Sequence, residues 1–149
     1  MVVLVVRFFV HDWIREYYLA PKVLFPHFAF LRPWPGNGMY VHYGVMGVLA
    51  ACVALGVFHR VAVVAFGLAF TYAHFLDRTN YLNHYYLVLL LAVLLFTIPL
   101  GHTFSIDAWR KPETRRDTLP AWCTYLLRFQ IATVYFFAGL AKLSSDWLI

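Results

Sequence analysis

Long stretches without charged side chains dominate the sequence. No Asp, Glu, Lys or Arg occurs between Arg32 and Arg60, between Arg60 and Asp77, or between Arg78 and Asp107. Windows of this kind are typical of transmembrane helices, which need ~17 to 25 mostly apolar residues to cross the hydrocarbon core. The pattern therefore predicts an all-α fold, a polytopic transmembrane helical bundle.

Four complete spans and part of an N-terminal one are predicted. The complete spans cover residues 43–58, 61–76, 81–98 and 121–143, with a turn at His59 and Arg60, a polar bend at 77–80 and a loop at 102–120. The first of them is rich in Gly and Ala, which let helices pack closely in lipid. Residues 2–10 contain Arg7 and are too few to cross a membrane alone. We therefore expect a transmembrane domain, residues 1–149, truncated at both ends.

Composition supports a membrane location. The chain is 62% hydrophobic and 13% charged, whereas soluble domains carry ~25% charged residues. Trp and Tyr gather near the ends of the apolar runs, where their half-polar rings favour the headgroup region. The net charge of +5 then suggests anionic lipid headgroups as the partner rather than nucleic acid. We expect an integral, multi-pass membrane protein.

The alternation of spans determines which loops share a side of the membrane. The bend at 77–80 and the end of the last span fall on the same side, so His84 and Lys142 are predicted to meet there. The loops on the opposite side carry five basic residues against four. This small excess favours a cytoplasmic opposite side and a lumenal or periplasmic face for His84 and Lys142.

Ionisable residues at membrane depth are costly and mark candidate functional positions. Lys142, Tyr135 and Arg128 are spaced seven residues apart, which on a helix predicts one polar stripe facing the bundle interior. Partial desolvation would keep the Lys142 amine neutral and available as a general base. Snorkelling of Lys142 to water explains the position equally well. Structural roles are the simpler explanation for Arg128 and at least as good for His84.

Other chemistry finds little support in the sequence. The seven histidines form no ligand pair on one helix, so no metal site is predicted. Cys52 and Cys123 lie in no recognisable motif and are interpreted as apolar packing residues, and His74 as a packing or capping residue.

Three stretches carry a family resemblance. They are LRPWPGNGMYVHYGVMGVLAACVALGVFHR at 31–60, FLDRTNYLNHYYL at 75–87 and RFQIATVYFFAGLAKLSSDW at 128–147. They contain an aspartate, an Asn-His pair opening a helix, Arg-x-Gln, Tyr-Phe-x-Ala-Gly, Lys-Leu and Asp-Trp. In these features the chain resembles the vitamin K-dependent gamma-carboxylase family and its bacterial relatives, which carry the HTTM domain.

The resemblance implies an enzyme that carboxylates the γ carbon of glutamate in a peptide or protein, using reduced vitamin K, O₂ and CO₂ and no metal. It places the base that deprotonates the hydroquinone at Lys142. His84, with Asn83 beside it, would stabilise charge as the glutamate carbanion forms. The supporting residues are Asp77, Tyr135, Arg128 and Gln130.

The chain departs from the family pattern in two ways that bear on these residue roles. Many members have two consecutive lysines where this chain has Ala141 and Lys142, so only the second is retained. The later helices and the β-rich lumenal or periplasmic domain of the family are absent from residues 1–149, and we expect this chain alone to be inactive. The alternatives are a non-enzymatic membrane module for transport, anchoring or assembly, and an HTTM protein with another substrate.

Overall fold

The computed structural model describes residues 1–21, 23–100, 105–115 and 118–143. The chain forms two compact units, residues 1–115 and 116–149. Every regular element among the described residues is helical, which confirms the all-α prediction.

Five helices and three short turns lie in the described part of the first unit. The helices are α1 (Val2–Val10), α2 (Gly38–Leu55), α3 (His59–Phe75), α4 (Asn83–Thr97) and α5 (Ile106–Arg110). A π-helical turn follows α1 at Arg15–Leu19, and 3₁₀ turns lie at Arg78–Asn80 and Pro112–Thr114. Helix α3 packs against α2 and α4, and α2 also packs against α1.

Aromatic and sulfur-containing side chains fill the core of this unit. Phe8 of α1 stacks on Tyr43 of α2 with ring centroids 4.6 Å apart, and Met39 and Met46 flank Tyr43 on the same helix, fully buried. The opposite face of α2 is also apolar and yet exposed, as Val48 illustrates at 65%. A helix that is hydrophobic on all sides is typical of a lipid environment or of a fully buried position.

Helix α2 begins and ends earlier than residues 43–58, the range predicted. It begins at Gly38, directly after a turn in which the Gly38 N–H donates to the Pro35 carbonyl (3.1 Å). It ends at Leu55 because Gly56 adopts a left-handed conformation (φ 66°) that few other residues tolerate. The Val57 N–H then donates to the Cys52 carbonyl (2.9 Å). Gly56 is therefore a helix cap and not a packing residue within the helix.

The predicted turn at His59 and Arg60 is wrong by a few residues. These two residues open α3, and the turn consists of residues 56–58. A carboxylate oxygen of Asp107 accepts a hydrogen bond from the His59 N–H (3.3 Å) at this helix N-terminus. A negative charge there stabilises the helix because the first N–H groups have no partner inside it.

The second unit contains α6 (Ala121–Ala141), which starts after Pro120 and is followed by Lys142 in a helix-like conformation. Helices α2 and α6 are long and apolar enough to cross a membrane, as judged from length and composition. Helices α3 and α4 have 17 and 15 residues. At ~1.5 Å per residue they reach about 26 and 22 Å, less than the ~30 Å hydrocarbon core.

Candidate functional site

The C-terminal end of α3 is fixed by groups from the segment that precedes α2. The last carbonyls of a helix lack partners within it. Here the Phe75 carbonyl accepts from the His27 N–H (3.0 Å), and the Ala73 carbonyl accepts from the Tyr18 hydroxyl (3.2 Å). Tyr18 and His27 are thereby held against the end of α3, next to the bend that leads into α4.

Asp77 organises that bend. Its side chain is 6% exposed and accepts hydrogen bonds from the Thr79 N–H (3.0 Å) and the Asn80 side-chain amide (3.4 Å). A carboxylate in this arrangement caps a turn in the same way as a helix N-cap residue does. Asp77 therefore sets the direction in which the chain enters α4.

Asn83 and His84 are the first two residues of α4, and both are exposed. The His84 ring meets the Tyr85 ring edge to face, with centroids 4.6 Å apart. His84 lines a cavity of about 350 Å³, which we call the His84 pocket. Its other polar and aromatic lining residues are Arg7, Trp13, Tyr17 and Tyr85. The apolar side chains of Met1, Val3, Leu4 and Leu82 complete it.

The His84 pocket has a basic character. The Arg7 guanidinium lies over the Trp13 ring, 5.0 Å from its centroid. Trp13 in turn stacks on Tyr17 with centroids 5.9 Å apart. None of the described residues that line the pocket is acidic. The sequence analysis does not predict that Arg7 and His84 line one pocket. The signal in the sequence is Arg7 itself, a charged residue in an otherwise apolar stretch of nine residues.

A second, much smaller cavity lies behind the pocket. Its volume is about 10 Å³, close to the ~10–15 Å³ that a single water requires. The Tyr43 hydroxyl donates to the Tyr18 hydroxyl (3.1 Å) beside it, and Asp77 also lines it. Burial raises the pKa of Tyr18 to about 12, with the Tyr43 hydrogen bond opposing that shift. Tyr17 and Tyr85 line both cavities and so form the wall between them.

The remaining predicted site residues belong to the second unit. Arg128, Gln130 and Tyr135 lie on α6, and Lys142 follows its last residue with an exposed side chain. Arg128 and Tyr135 are seven residues apart and fall on one side of the helix. The backbone N–H of Lys142 donates to the Gly139 carbonyl (3.1 Å), which continues the last turn.

The meeting of His84 with Lys142 stays a prediction, because the two residues belong to different units. The Asp-Trp motif at Asp146 and Trp147 lies outside the described residues, as do residues 102–104, 116 and 117 of the predicted loop.

A comparison with known protein families identifies the family to which the chain belongs. The family model of the HTTM domain matches residues 1–149. The chain belongs to the HTTM domain family. The resemblance inferred from the three stretches is thus confirmed, and the HTTM domain is found in vitamin K-dependent carboxylases. No solved structure matches the chain.

The His84 pocket of this HTTM domain has the volume and the lining of a small-molecule site. At about 350 Å³ it falls within the ~300–1,000 Å³ typical of ligand pockets. Its walls include the rings of Trp13, Tyr17 and Tyr85, and flat faces of this kind stack on planar groups. In the described part of the chain, no group of three or more His, Cys, Asp and Glu side chains is placed to bind a metal.

Proposed function

We propose that this HTTM domain is the membrane domain of a vitamin K hydroquinone-dependent glutamate γ-carboxylase. The observation that carries the proposal is the family match over residues 1–149, because this domain is found in vitamin K-dependent carboxylases. The position of His84 on an aromatic pocket adds support.

The overall reaction balances without a metal. Reduced vitamin K, when bound, supplies with O₂ the strong base and the driving force, and it leaves as the epoxide together with water. The γ C–H bond of glutamate breaks, a C–C bond to CO₂ forms, and one proton is released.

Each proposed residue has a defined task in this reaction. The amine of Lys142 accepts a proton from a hydroquinone hydroxyl, as a general base. His84 stabilises negative charge at the substrate carbon after the γ proton has left, and Asn83 lies beside it at the start of α4. Asp77 holds the bend that positions both residues.

The remaining candidates act around Lys142. Arg128 and Tyr135 share one side of α6, and we propose that they extend a polar stripe to Lys142, with Gln130 on the same helix. A multi-pass arrangement with the site at the lumenal or periplasmic face agrees with the distribution of basic residues in the loops. A hydroquinone with an apolar tail would then enter from the lipid.

Incorporation of labelled CO₂ into a glutamate peptide tests the proposal. With the full-length protein in lipid nanodiscs and reduced vitamin K, Lys142→Ala should lower the rate ~100-fold or more, which is the usual contribution of a general base. Lys111→Ala is the matched control, because Lys111 lies between α5 and the last 3₁₀ turn of the first unit. A wild-type rate in Lys142→Ala without added strong base would refute the base assignment.

The wild-type protein itself separates the main alternatives. Folded wild-type protein that incorporates no label would support a non-enzymatic membrane module or a different substrate. Label that appears in glutamate together with stoichiometric epoxide would support the carboxylase.

A further inference from the structure

The charged residue of the His84 pocket has no part in the reaction as proposed so far. Arg7 lies on α1, a helix of nine residues of which the other eight are apolar. A guanidinium among apolar residues is costly at membrane depth, and such positions mark function by default. Its neighbours indicate what it could bind.

The guanidinium of Arg7 is held in place by the core. Trp13, on which it lies, packs edge to face against Phe8 with centroids 5.5 Å apart, and Phe8 is only 2% exposed. Stacking on a ring occupies one face of a guanidinium and leaves the N–H donors at its edge for a ligand. Those donors match the two oxygens of a carboxylate.

The surroundings favour an anion. The Arg7 guanidinium lies over the Trp13 ring, which carries no charge. Among the described residues, none that lines the pocket is acidic, and the aromatic walls lower the local dielectric constant, which strengthens the attraction for a negative group.

We infer that Arg7 binds the side-chain carboxylate of a glutamate substrate in the His84 pocket. The inference rests on the proposed function for the identity of the substrate. Removing the γ proton creates a second negative charge next to the carboxylate, and an arginine that neutralises the first charge reduces the repulsion. His84, on the same pocket, is then close to the carbon that loses the proton.

Binding can be measured without turnover. The purified full-length chain in neutral-lipid nanodiscs is titrated with a blocked glutamate dipeptide and with the isosteric glutamine dipeptide, in the absence of vitamin K. Arg7→Gln should weaken glutamate binding about 10- to 100-fold, since a charged hydrogen-bonded pair is lost, and leave the glutamine dipeptide unchanged. Arg7→Lys should fall between, because lysine keeps the charge but not the planar fork.

Arg60→Gln is the matched control, because this exposed arginine opens α3 and does not line the pocket. Helix content measured by circular dichroism shows whether each variant is folded. If Arg7→Gln is not folded, the glutamate affinity of Arg7→Lys is compared with that of the wild type instead.

Unchanged glutamate affinity in Arg7→Gln would overturn the inference. A separate reconstitution in nanodiscs of mixed phosphatidylcholine and phosphatidylglycerol measures which lipid is enriched around the protein. If Arg7→Gln kept its glutamate affinity but lost an enrichment of phosphatidylglycerol that the wild type shows, Arg7 would be assigned to a lipid phosphate instead. Equal weakening of both dipeptides would also overturn it, because the effect would then not concern the carboxylate.

The two proposals fail separately. Label incorporation by the wild type together with unchanged affinity in Arg7→Gln refutes only the role of Arg7. Arg7-dependent glutamate binding without any label incorporation refutes only the carboxylase.

Discussion

Tyr18→Phe removes one hydroxyl from the buried network and should destabilise the first unit measurably. This hydroxyl donates to the Ala73 carbonyl (3.2 Å) and accepts from the Tyr43 hydroxyl (3.1 Å). Each bond contributes ~0.5–1.5 kcal/mol, and a buried group left without a partner costs ~1–3 kcal/mol. We therefore expect a loss of about 2–3 kcal/mol in the free energy of unfolding near neutral pH. Tyr86→Phe, at an exposed position, should change it by less than ~0.5 kcal/mol.

The same residue predicts how stability depends on alkaline pH. Burial raises the pKa of Tyr18 from 10.0 to about 12, so the folded state favours the neutral phenol. Its contribution is complete below pH 10 and is lost as the pH rises from 10 to 12, because the unfolded chain ionises first. Two pKa units correspond to roughly 3 kcal/mol. The stabilities of the wild type and Tyr18→Phe should therefore converge over this range.

Denaturant unfolding of the full chain in detergent micelles, followed by far-UV circular dichroism at pH 8, 10, 11 and 12, measures both effects. Tyr86→Phe controls for the titration of other tyrosines. Stability curves of wild type and Tyr18→Phe that run parallel from pH 8 to 12 would show that the Tyr18 hydroxyl is not buried in the network described. Equal stabilities at pH 8 would refute the hydrogen-bond argument directly.

Three further predictions concern turns and helices of the first unit. Gly56→Ala should lower the free energy of unfolding by ~1–3 kcal/mol, because φ is +66° and a Cβ would crowd the Cβ and Cα of Ser105, the latter at 3.2 Å. Gly44→Ala, where a Cβ meets nothing within 4 Å, should be neutral or stabilise by up to ~1 kcal/mol in the same melts. Asp77→Ala should cost ~1–2 kcal/mol through loss of the bond to the Thr79 N–H, and Asp77→Asn less; equal stability of all three proteins would contradict the capping role.

The helical class could be predicted because charge-free windows constrain it from sequence alone. The ends of the helices are harder to predict from the sequence, because contacts with residues far along the chain help to determine them. The start of α3 at His59 involves a carboxylate 48 residues later in the chain, Asp107, which no local pattern reveals. The end of α2 is a local signal with two meanings, since Gly56 suits both helix packing within residues 43–58 and a left-handed cap.

The candidate site was predictable in part, for a similar reason. Asn83 and His84 were predicted at the start of a helix, and α4 begins at Asn83. The pocket around His84 was not, because Trp13 and Tyr17 come from a segment without hydrophobic periodicity. Their rings reach the start of α4 through the tertiary fold, in which they line one pocket with His84 and Tyr85.

Tyr85 belongs both to the lining of the His84 pocket and to the hydrophobic core. Tyr85 is 7% exposed and contacts Phe8 and Phe70 with ring centroids 6.1 and 5.9 Å away, while its ring also meets His84. Packed cores hold side chains in single rotamers, so the face presented to a ligand is set before binding. Arg7 lines the same pocket from α1 and lies over the Trp13 ring. A ligand would therefore be oriented by the rigid aromatic side chains and selected for charge by Arg7.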